Sequence, residues 1–530
     1  MSDIPWWRGA TIYQIYPRSF ADSNGDGIGD LAGITARLDH VARFGAEAVW
    51  LSPFFKSPMR DFGYDVSDYC DVDPIFGTLA DFDALVARAH SLGLKVLIDQ
   101  VYAHSSDQHP WFADSRSART GPRADWYVWA DAKPDGSPPN NWQAVFGGPC
   151  WTWDARRRQY YMHNFLPGQP QLNVHNPDVQ DALLDVARFW LDRGVDGFRL
   201  DALNFTMHDP LLRDNPPAPD DGKVRTRPFD FQLHVNNQSH GDIPAFIRRI
   251  RALLDRYDAC FTVAEVGGVE APREMKAYTH GPHHLDSAYG FDFLYAPRLT
   301  AALVEEAIGQ WPDAPDTGWP SWAFSNHDAP RWISRWADAA DPLGYARMVW
   351  LLFVCLRGNI IVWQGEELGL TQVDIPFEQL QDPEAIANWP LTLSRDGTRT
   401  PMPWQDDALH CGFSSGTPWL PLGADHPPLS VNRQEADPDA LLHWARRMIA
   451  FRNAHPALRR GRMEIIRAEG DLLLFARELD GVRLLCMFNL GDTELPVPSD
   501  VRGATLLADT GGAGPERLPP YSGCVLHPAA

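Results

Sequence analysis

Seven short apolar or β-branched runs, at residues 11–17, 48–53, 95–101, 197–202, 261–266, 321–326 and 359–364, are each followed by a helical pattern. This alternation constrains the fold more than any other feature of the chain. Near-continuous apolarity, as in KVLIDQV (95–101) and NIIVWQ (359–364), is what strands look like when crossover helices cover both of their faces. A weaker eighth run spans 289–294. The helices carry end signals: Asn176-Pro177 reads as a cap and first-turn proline, Gly194 as the stop, and a second helix is read over 81–93. Strand and helix in alternation over most of the chain predict an α/β fold, a parallel (β/α)8 TIM barrel.

Two segments break the alternation. Residues 103–173 hold Pro, Gly, Trp and Asn clusters without helical periodicity and read as a loop-rich insertion after strand 3. From 456 to 530 the pattern becomes period-two, and Asp480-Gly481 sits at a hairpin turn between two apolar runs, so a C-terminal antiparallel β domain, a sandwich, is expected. The barrel then comprises 1–102 and 174–455. The apolar run 348–356 is too short to span a membrane and reads as a buried helix.

Composition excludes several partners. With 69 acidic against 47 basic residues the formal charge is −22, which repels phosphate backbones and anionic lipid, so neither nucleic acid nor a membrane is expected. Seven cysteines without a CxxC pair indicate neither a disulfide framework nor a zinc site. The acidic Asp3 and the lack of an apolar leader run point to the cytoplasm.

In a (β/α)8 barrel the working residues lie at the C-terminal ends of the strands. Asp99 and His104 fall at or just past the end of the third, Arg199 and Asp201 on the fourth, Glu265 at the end of the fifth, and Asn326-His327-Asp328 at the end of the run 321–326. Two facing carboxylates can cleave a glycosidic bond, one as nucleophile and one as proton donor, while a third organises the sugar. Arg199 shares a face with Asp201 because strand side chains alternate with period two, and its cation is expected to keep Asp201 ionised.

With DQVYAH (99–104), GFRLDALNF (197–205), VAEVG (263–267) and FSNHDAPR (324–331) in this order, the chain resembles the α-amylase family of retaining glycoside hydrolases, in its oligo-1,6-glucosidase and α-glucosidase branch. The resemblance covers essentially the whole chain. It implies Asp201 as nucleophile, Glu265 as general acid/base and Asp328 as transition-state stabiliser. It makes Tyr64 and Asp65 of GYDVSDY the platform and carboxylate for the terminal glucose, with Arg399 of DGTRTPMPW as the partner of that carboxylate. It gives His104, Arg199 and His327 contacts to sugar hydroxyls or nucleophile, and makes Phe146 and Phe165 walls of the pocket.

In this branch alanine after the nucleophile accompanies α-1,4 activity, and Ala202 therefore implies maltose over isomaltose. An exo-acting α-glucosidase on small α-glucosides is expected, passing glucose to water or to sugar and alcohol acceptors, as a monomer or homodimer. A transglucosidase, a sucrose- or trehalose-directed enzyme and, remotely, a non-catalytic binding protein on the same fold are the alternatives. The alternating oxygen donors Asp22, Asn24, Asp26, Ile28 and Asp30 start like an EF-hand loop, but Gly33 stands where its closing glutamate belongs. The family places one structural Ca²⁺ or Mg²⁺ there, and no organic cofactor is implied. Ala103 and Gln171 depart from the family's pattern at positions that matter for a further calcium in amylases.

Overall fold

The computed structural model describes residues 4–220, 222, 224–311, 317–337 and 341–529, so Asp3 and positions 221 and 223 lie outside it. Eight parallel strands close into a barrel: β1 (Thr11–Ile15), β2 (Ala48–Leu51), β3 (Lys95–Val101), β4 (Gly197–Asp201), β5 (Phe261–Glu265), β6 (Ser287–Tyr289), β7 (Trp319–Ala323) and β8 (Asn359–Trp363). Their neighbours follow chain order, and β8 closes on β1 through the register Thr11↔Ile360 to Gln14↔Trp363. Seven of these strands are buried at every position, as crossover helices on both faces require.

Two strands differ from expectation. The eighth run, expected at 289–294, is the three-residue β6, which overlaps it at Tyr289 alone. Three residues carry too little periodicity to be seen in a sequence window. Strand β7 begins at Trp319 and includes Pro320, which sequence rules place outside a central strand, and the expected tail 324–326 is loop.

The helices α1 (Leu31–Phe44), α2 (Leu79–Ser91), α3 (Pro177–Asp192) and α4 (Ile243–Leu254) pack outside the barrel. Asp30 caps α1 by accepting from the Gly33 N–H, and Asn176 caps α3 by accepting from the Asp178 N–H. Helix α5 (Pro342–Cys355) holds the apolar run 348–356 up to Cys355 and is buried from Tyr345 onward except at Arg347.

In the insertion, strands Trp129–Ala130, Gln159–Met162 and Trp151–Asp154 form a small antiparallel sheet. The C-terminal unit is one five-stranded antiparallel sheet, β9 (Arg462–Glu469), β10 (Leu472–Leu479), β11 (Val482–Asn489), β12 (Thr505–Thr510) and β13 (Ser522–His527), in the order β9-β10-β11-β13-β12. It is not the sandwich expected. Leu473, Phe475, Cys486 and Phe488 face the main core, while Leu474, Ala476, Leu485 and Met487 pack under Val501, Ala504 and Leu518 of the connecting segment, so no second sheet is needed to bury either face. Asp480 (φ 51°) and Gly481 (φ 81°) make the β10–β11 turn with both central residues left-handed.

Among the described residues, no helix is long and apolar enough to cross a membrane. All seven cysteines are unpaired.

Candidate active site

Parallel register brings the carboxylates together. Asp99 on β3 lies opposite Arg199 on β4, Val101 opposite Asp201, and Glu265 on β5 opposite Tyr289 on β6. Arg199 is 0% exposed and its guanidinium is the hub. One terminal nitrogen donates to Asp99 at 2.6 Å and to Asp201 at 2.5 Å, and the other reaches Glu265 at 2.7 Å. The Tyr289 hydroxyl accepts two further bonds at 3.1 and 3.2 Å, and Trp50 donates its indole N–H to Asp99 at 2.9 Å.

Three carboxylates on one cation leave a net negative cluster in a low dielectric. Burial pushes Glu265 up to about 7, against the opposing pull of Arg199. Burial likewise pushes Asp201 up to about 7 and Asp99 up to about 6, again against Arg199. Arg199 acts on Asp201 in the expected direction, toward the ionised form, but its charge is shared three ways. Asp201 and Glu265 each keep 7% of their surface open, enough for a substrate atom to reach them and too little for bulk hydration.

Asp328 is the opposite case. Burial acts to raise it, but the His327 ring and the guanidiniums of Arg395 and Arg399, at 3.1 and 2.8 Å, hold it well below the usual carboxylate range. Burial drives His327 down to about 3, so the ring is neutral and the two arginines carry the effect. His327 Nε2 meets the Tyr64 hydroxyl at 2.6 Å and Asp328 at 3.2 Å, and the Tyr64 ring stacks on it at 5.4 Å and 8°. His104, driven by burial to about 4, is neutral too and bonds the Tyr64 carbonyl at 3.2 Å.

The expected pairing of Asp65 with Arg399 is not what forms. Asp65 is 0% exposed and accepts from the Ser57 hydroxyl and the N–H groups of Arg60 and Asp61, so it stabilises the turn. Arg399 donates to the His327 carbonyl and to Asp328. The carboxylate that faces the site is Asp61, four residues earlier. Its partners are Arg395 at 3.2 Å and the Gln169 amide at 3.0 Å, and Gln169 also meets His104 at 3.1 Å. Burial pushes Asp61 up to about 6 against Arg395, which spans Asp61, Asp328 and Asp382.

Asp61, Arg395, Gln169 and Tyr289 are thus the residues that sequence reasoning missed. RDFGYD and RDGTR each offer two side chains of one type four apart, and the sequence does not say which one faces inward.

Phe146 lies 4.8 Å below the Arg395 guanidinium, and Phe165 is 5.1 Å from the His104 ring and 5.3 Å from Phe205. Ala202 packs with Ala103 and Phe205, flanked by Val145, Phe165 and Phe229. Its backbone is left-handed at φ 39° and ψ 46°. Ala103 is thereby an apolar contact, and Gln171 donates to the Phe205 carbonyl at 2.7 Å.

The first-loop oxygens are ordered by the backbone. Asp22 accepts from the N–H groups of Asn24, Gly25 and Gly27 and from the Ser414 hydroxyl. Asn24 accepts from Asp26 N–H and Asp26 from Ile28 N–H, while Asp30 caps α1 and holds Ser23. Carboxylate and amide oxygens alternate along one loop with neither nitrogen nor sulfur donors among them. That donor set fits a hard divalent cation.

The family comparisons agree with this geometry. Residues 14–461 match the model of the α-amylase catalytic domain, and 459–525 match DUF3459, a domain of unknown function. A probable α-glucosidase of Rhizobium meliloti is 53% identical over 506 residues, covering 93% of this chain and 92% of that protein. An oligo-1,6-glucosidase of Parageobacillus thermoglucosidasius is 35% identical, covering 92% and 91%. The crystal structure of the α-glucosyl transfer enzyme XgtA superposes with a TM-score of 0.94 at 47% identity, covering 99% of this chain and 100% of that one. The trehalulose synthase MutB of Pseudomonas mesoacidophila MX-45 superposes at 0.89 with 31% identity, covering 99% of both chains. The chain belongs to the α-amylase family of glycoside hydrolases and is a glucosidase or transglucosylase of its α-glucosidase and oligo-1,6-glucosidase branch.

Proposed function

We propose that this enzyme is an exo-acting retaining α-glucosidase that removes a non-reducing terminal α-glucose from small substrates, α-1,4 links before α-1,6. The observation that carries the reading is the guanidinium of Arg199, which holds Asp201 at 2.5 Å and Glu265 at 2.7 Å on adjacent nitrogens. One guanidinium shared in this way draws the two carboxylates toward each other, and a separation of about 5–5.5 Å is the retaining arrangement, whereas an inverting enzyme spaces them wider to admit a water.

In the first step Glu265 gives its proton to the departing glycosidic oxygen while Asp201 attacks the anomeric carbon and the C–O bond breaks. In the second, Glu265 takes the proton of the incoming water or alcohol, and the ester bond to Asp201 breaks with retention as α. The raised Glu265 suits the acid role at neutral pH. Asp328, held ionised by Arg395 and Arg399, offers acceptors to ring hydroxyls, and Asp61, His104 and His327 complete the grip on one terminal glucose. Tyr64 supplies its platform, with Phe146 and Phe165 as walls.

A second reading, transfer of the glucosyl group to an alcohol, rests on the acceptor side. Phe205 and Phe229 line an apolar face beside Ala202, and an adjoining open cleft of about 760 Å³ is lined by Asn141, Gln143, Arg225, Phe231 and Leu391. An apolar acceptor excludes water from the glucosyl-enzyme and favours transfer.

One structural Ca²⁺ or Mg²⁺ is proposed on Asp22, Asn24, Asp26, the Ile28 carbonyl and Asp30. Its role is to pin the first loop against 413–419, where Asp22 N–H donates to the Phe413 carbonyl and Trp419 N–H to the Gly27 carbonyl. The seven unpaired cysteines support a cytoplasmic location.

The testing experiment is a trap. Glu265→Gln is incubated with an α-glucosyl fluoride, whose leaving group needs no acid, and the protein is weighed by mass spectrometry. A single glucosyl adduct on the peptide carrying Asp201 supports the reading. Turnover without any adduct on that peptide contradicts it.

A further inference from the structure

Outside the catalytic ring, three elements bring histidines together. His175 precedes the Asn176 cap of α3, His208 lies in the loop after β4, and His240 and Asp242 lead into α4. The rings of His175 and His240 are 4.8 Å apart, and that of His208 is 5.3 Å from His175. One ligand atom from each of His175, His240 and Asp242 falls within 4.8 Å of the others. We propose that His175, His240 and Asp242 form a site for a borderline divalent transition-metal ion such as Zn²⁺, with a coordination position left open to solvent.

Geometry is the first argument. Asp242 Oδ2 lies 4.0 Å from His175 Nδ1 and 3.6 Å from His240 Nδ1. Ligands of a tetrahedral zinc with bonds of 2.0–2.1 Å stand about 3.3 Å apart, so the two Asp242 contacts must close by about 0.3 and 0.7 Å and the histidine pair by at most about 1.5 Å. These side chains are 21%, 27% and 69% exposed for His175, His240 and Asp242, and such surface groups can make that shift.

Orientation is the second. His175 Nε2 is engaged by the His208 carbonyl at 2.8 Å, which leaves Nδ1 turned toward Asp242. A backbone carbonyl on the far nitrogen is the usual way a metal-binding imidazole is fixed. His240 Nδ1 accepts from the Asp242 N–H at 3.2 Å, a bond that metal binding through that atom would exchange. His208 is 6% exposed and its Nδ1 finds no partner among the described residues, so an unsatisfied nitrogen lies beside the group.

The donor set selects the ion. Two imidazoles and one carboxylate favour zinc, cobalt or nickel over the calcium or magnesium of an all-oxygen loop.

Occupancy would have a mechanical consequence. Ser239, adjacent to His240, donates its N–H to the carbonyl of Asn204, three residues past Asp201, at 2.6 Å. A metal clamp would therefore tie the starts of α3 and α4 to the loop that follows the nucleophile.

The test uses untagged full-length protein in Ca²⁺-containing buffer, titrated with ZnCl₂ by calorimetry and with CoCl₂ by visible absorption. The proposal expects one more equivalent of Zn²⁺ in the wild type than in His240→Ala or His175→Ala, and tetrahedral Co²⁺ bands in the wild type alone. In Asp242→Asn, whose shape is conserved, affinity should fall at least about tenfold. α-Glucoside turnover without zinc should stay near wild type in all three. Equal stoichiometry and equal Co²⁺ spectra in wild type and variants would overturn the site. If a histidine variant fails to fold, Asp242→Asn decides alone, and unchanged affinity there overturns it.

Discussion

The backbone N–H of Ala202 donates to Oε2 of Glu265 at 3.1 Å. Ala202 is the residue after Asp201, so Glu265, the proposed acid/base, is tethered to the strand end of Asp201, the proposed nucleophile, through a residue held at φ 39°. Both carboxylates also hang on Arg199, and the spacing between them is set by one guanidinium and one peptide N–H.

Arg199 is therefore the residue whose loss should cost most. Arg199→Met leaves Asp99, Asp201 and Glu265 buried without a cation, a loss of about 3–5 kcal/mol, together with nearly all turnover. Arg199→Lys keeps a charge but not the fork, and should fold better while losing most of kcat/KM. Thermal melts and kinetics check both, and a lysine variant with wild-type kcat/KM would contradict the bridging role.

Burial raises Asp201 and Glu265 to about 7, and the sign of the stability effect follows. The unfolded carboxyls ionise near pH 4, about three units earlier, so these groups add stability below pH 4 that is lost as pH rises toward 7. Asp201→Asn removes its share. The melting temperature of Asp201→Asn should thus gain on that of the wild type between pH 4.5 and 7, while kcat falls at least about 10³-fold. A melting gap that shrinks over that range would be the wrong sign. Wild-type kcat/KM should also fall above pH 7, as Glu265 loses the proton it donates.

Asp61 takes the site-facing position expected of Asp65, and Asp65 holds the turn. Asp61→Asn should lower kcat/KM about 10- to 100-fold through the lost charge-assisted contacts, with the fold intact. Asp65→Asn should act first on stability, because it holds two backbone N–H groups of the turn. If Asp65→Asn proves the more damaging to kcat/KM at unchanged melting temperature, Asp65 and not Asp61 is the sugar-binding carboxylate.

How much of this the sequence carried depends on burial and periodicity. β3 and β5 announce themselves as apolar runs that carry Asp99 and Glu265 near their C-terminal ends, and the four blocks around Asp201, Glu265 and Asp328 place the chemistry at strand ends. β6 is three residues long, and no window of periodic reading resolves it. The choice between Asp61 and Asp65, or Arg395 and Arg399, depends on which way a loop turns. In the loop, Phe62 adopts φ 50° and Gly63 φ 108°, which sends Asp61 inward and Asp65 into its own turn. The sharing of Arg199 among three carboxylates is likewise a matter of three-dimensional register.

Ala202 gives the specificity test. A β-branched side chain at its left-handed φ costs on the order of 1–3 kcal/mol and crowds Phe165 and Phe205. Ala202→Val should lower the melting temperature and shift the ratio of maltose to isomaltose turnover toward isomaltose. An unchanged ratio would remove Ala202 from the linkage argument.

The first loop predicts a metal effect. Dialysis against EDTA should lower the melting temperature, and Ca²⁺ or Mg²⁺ should restore it, whereas Asp26→Ala should melt low and not respond. Elemental analysis that finds no divalent ion, with an unmoved melt, would remove the cation.

The most direct measurement is time-resolved proton NMR of the enzyme with maltose, isomaltose, sucrose and trehalose in parallel, recording which anomer of glucose appears first. The account predicts that maltose is consumed fastest and that the cleaved unit appears first as α-glucose, with new glycosidic signals when an alcohol acceptor is added. Early β-glucose from that unit would contradict the double displacement on Asp201 and Glu265.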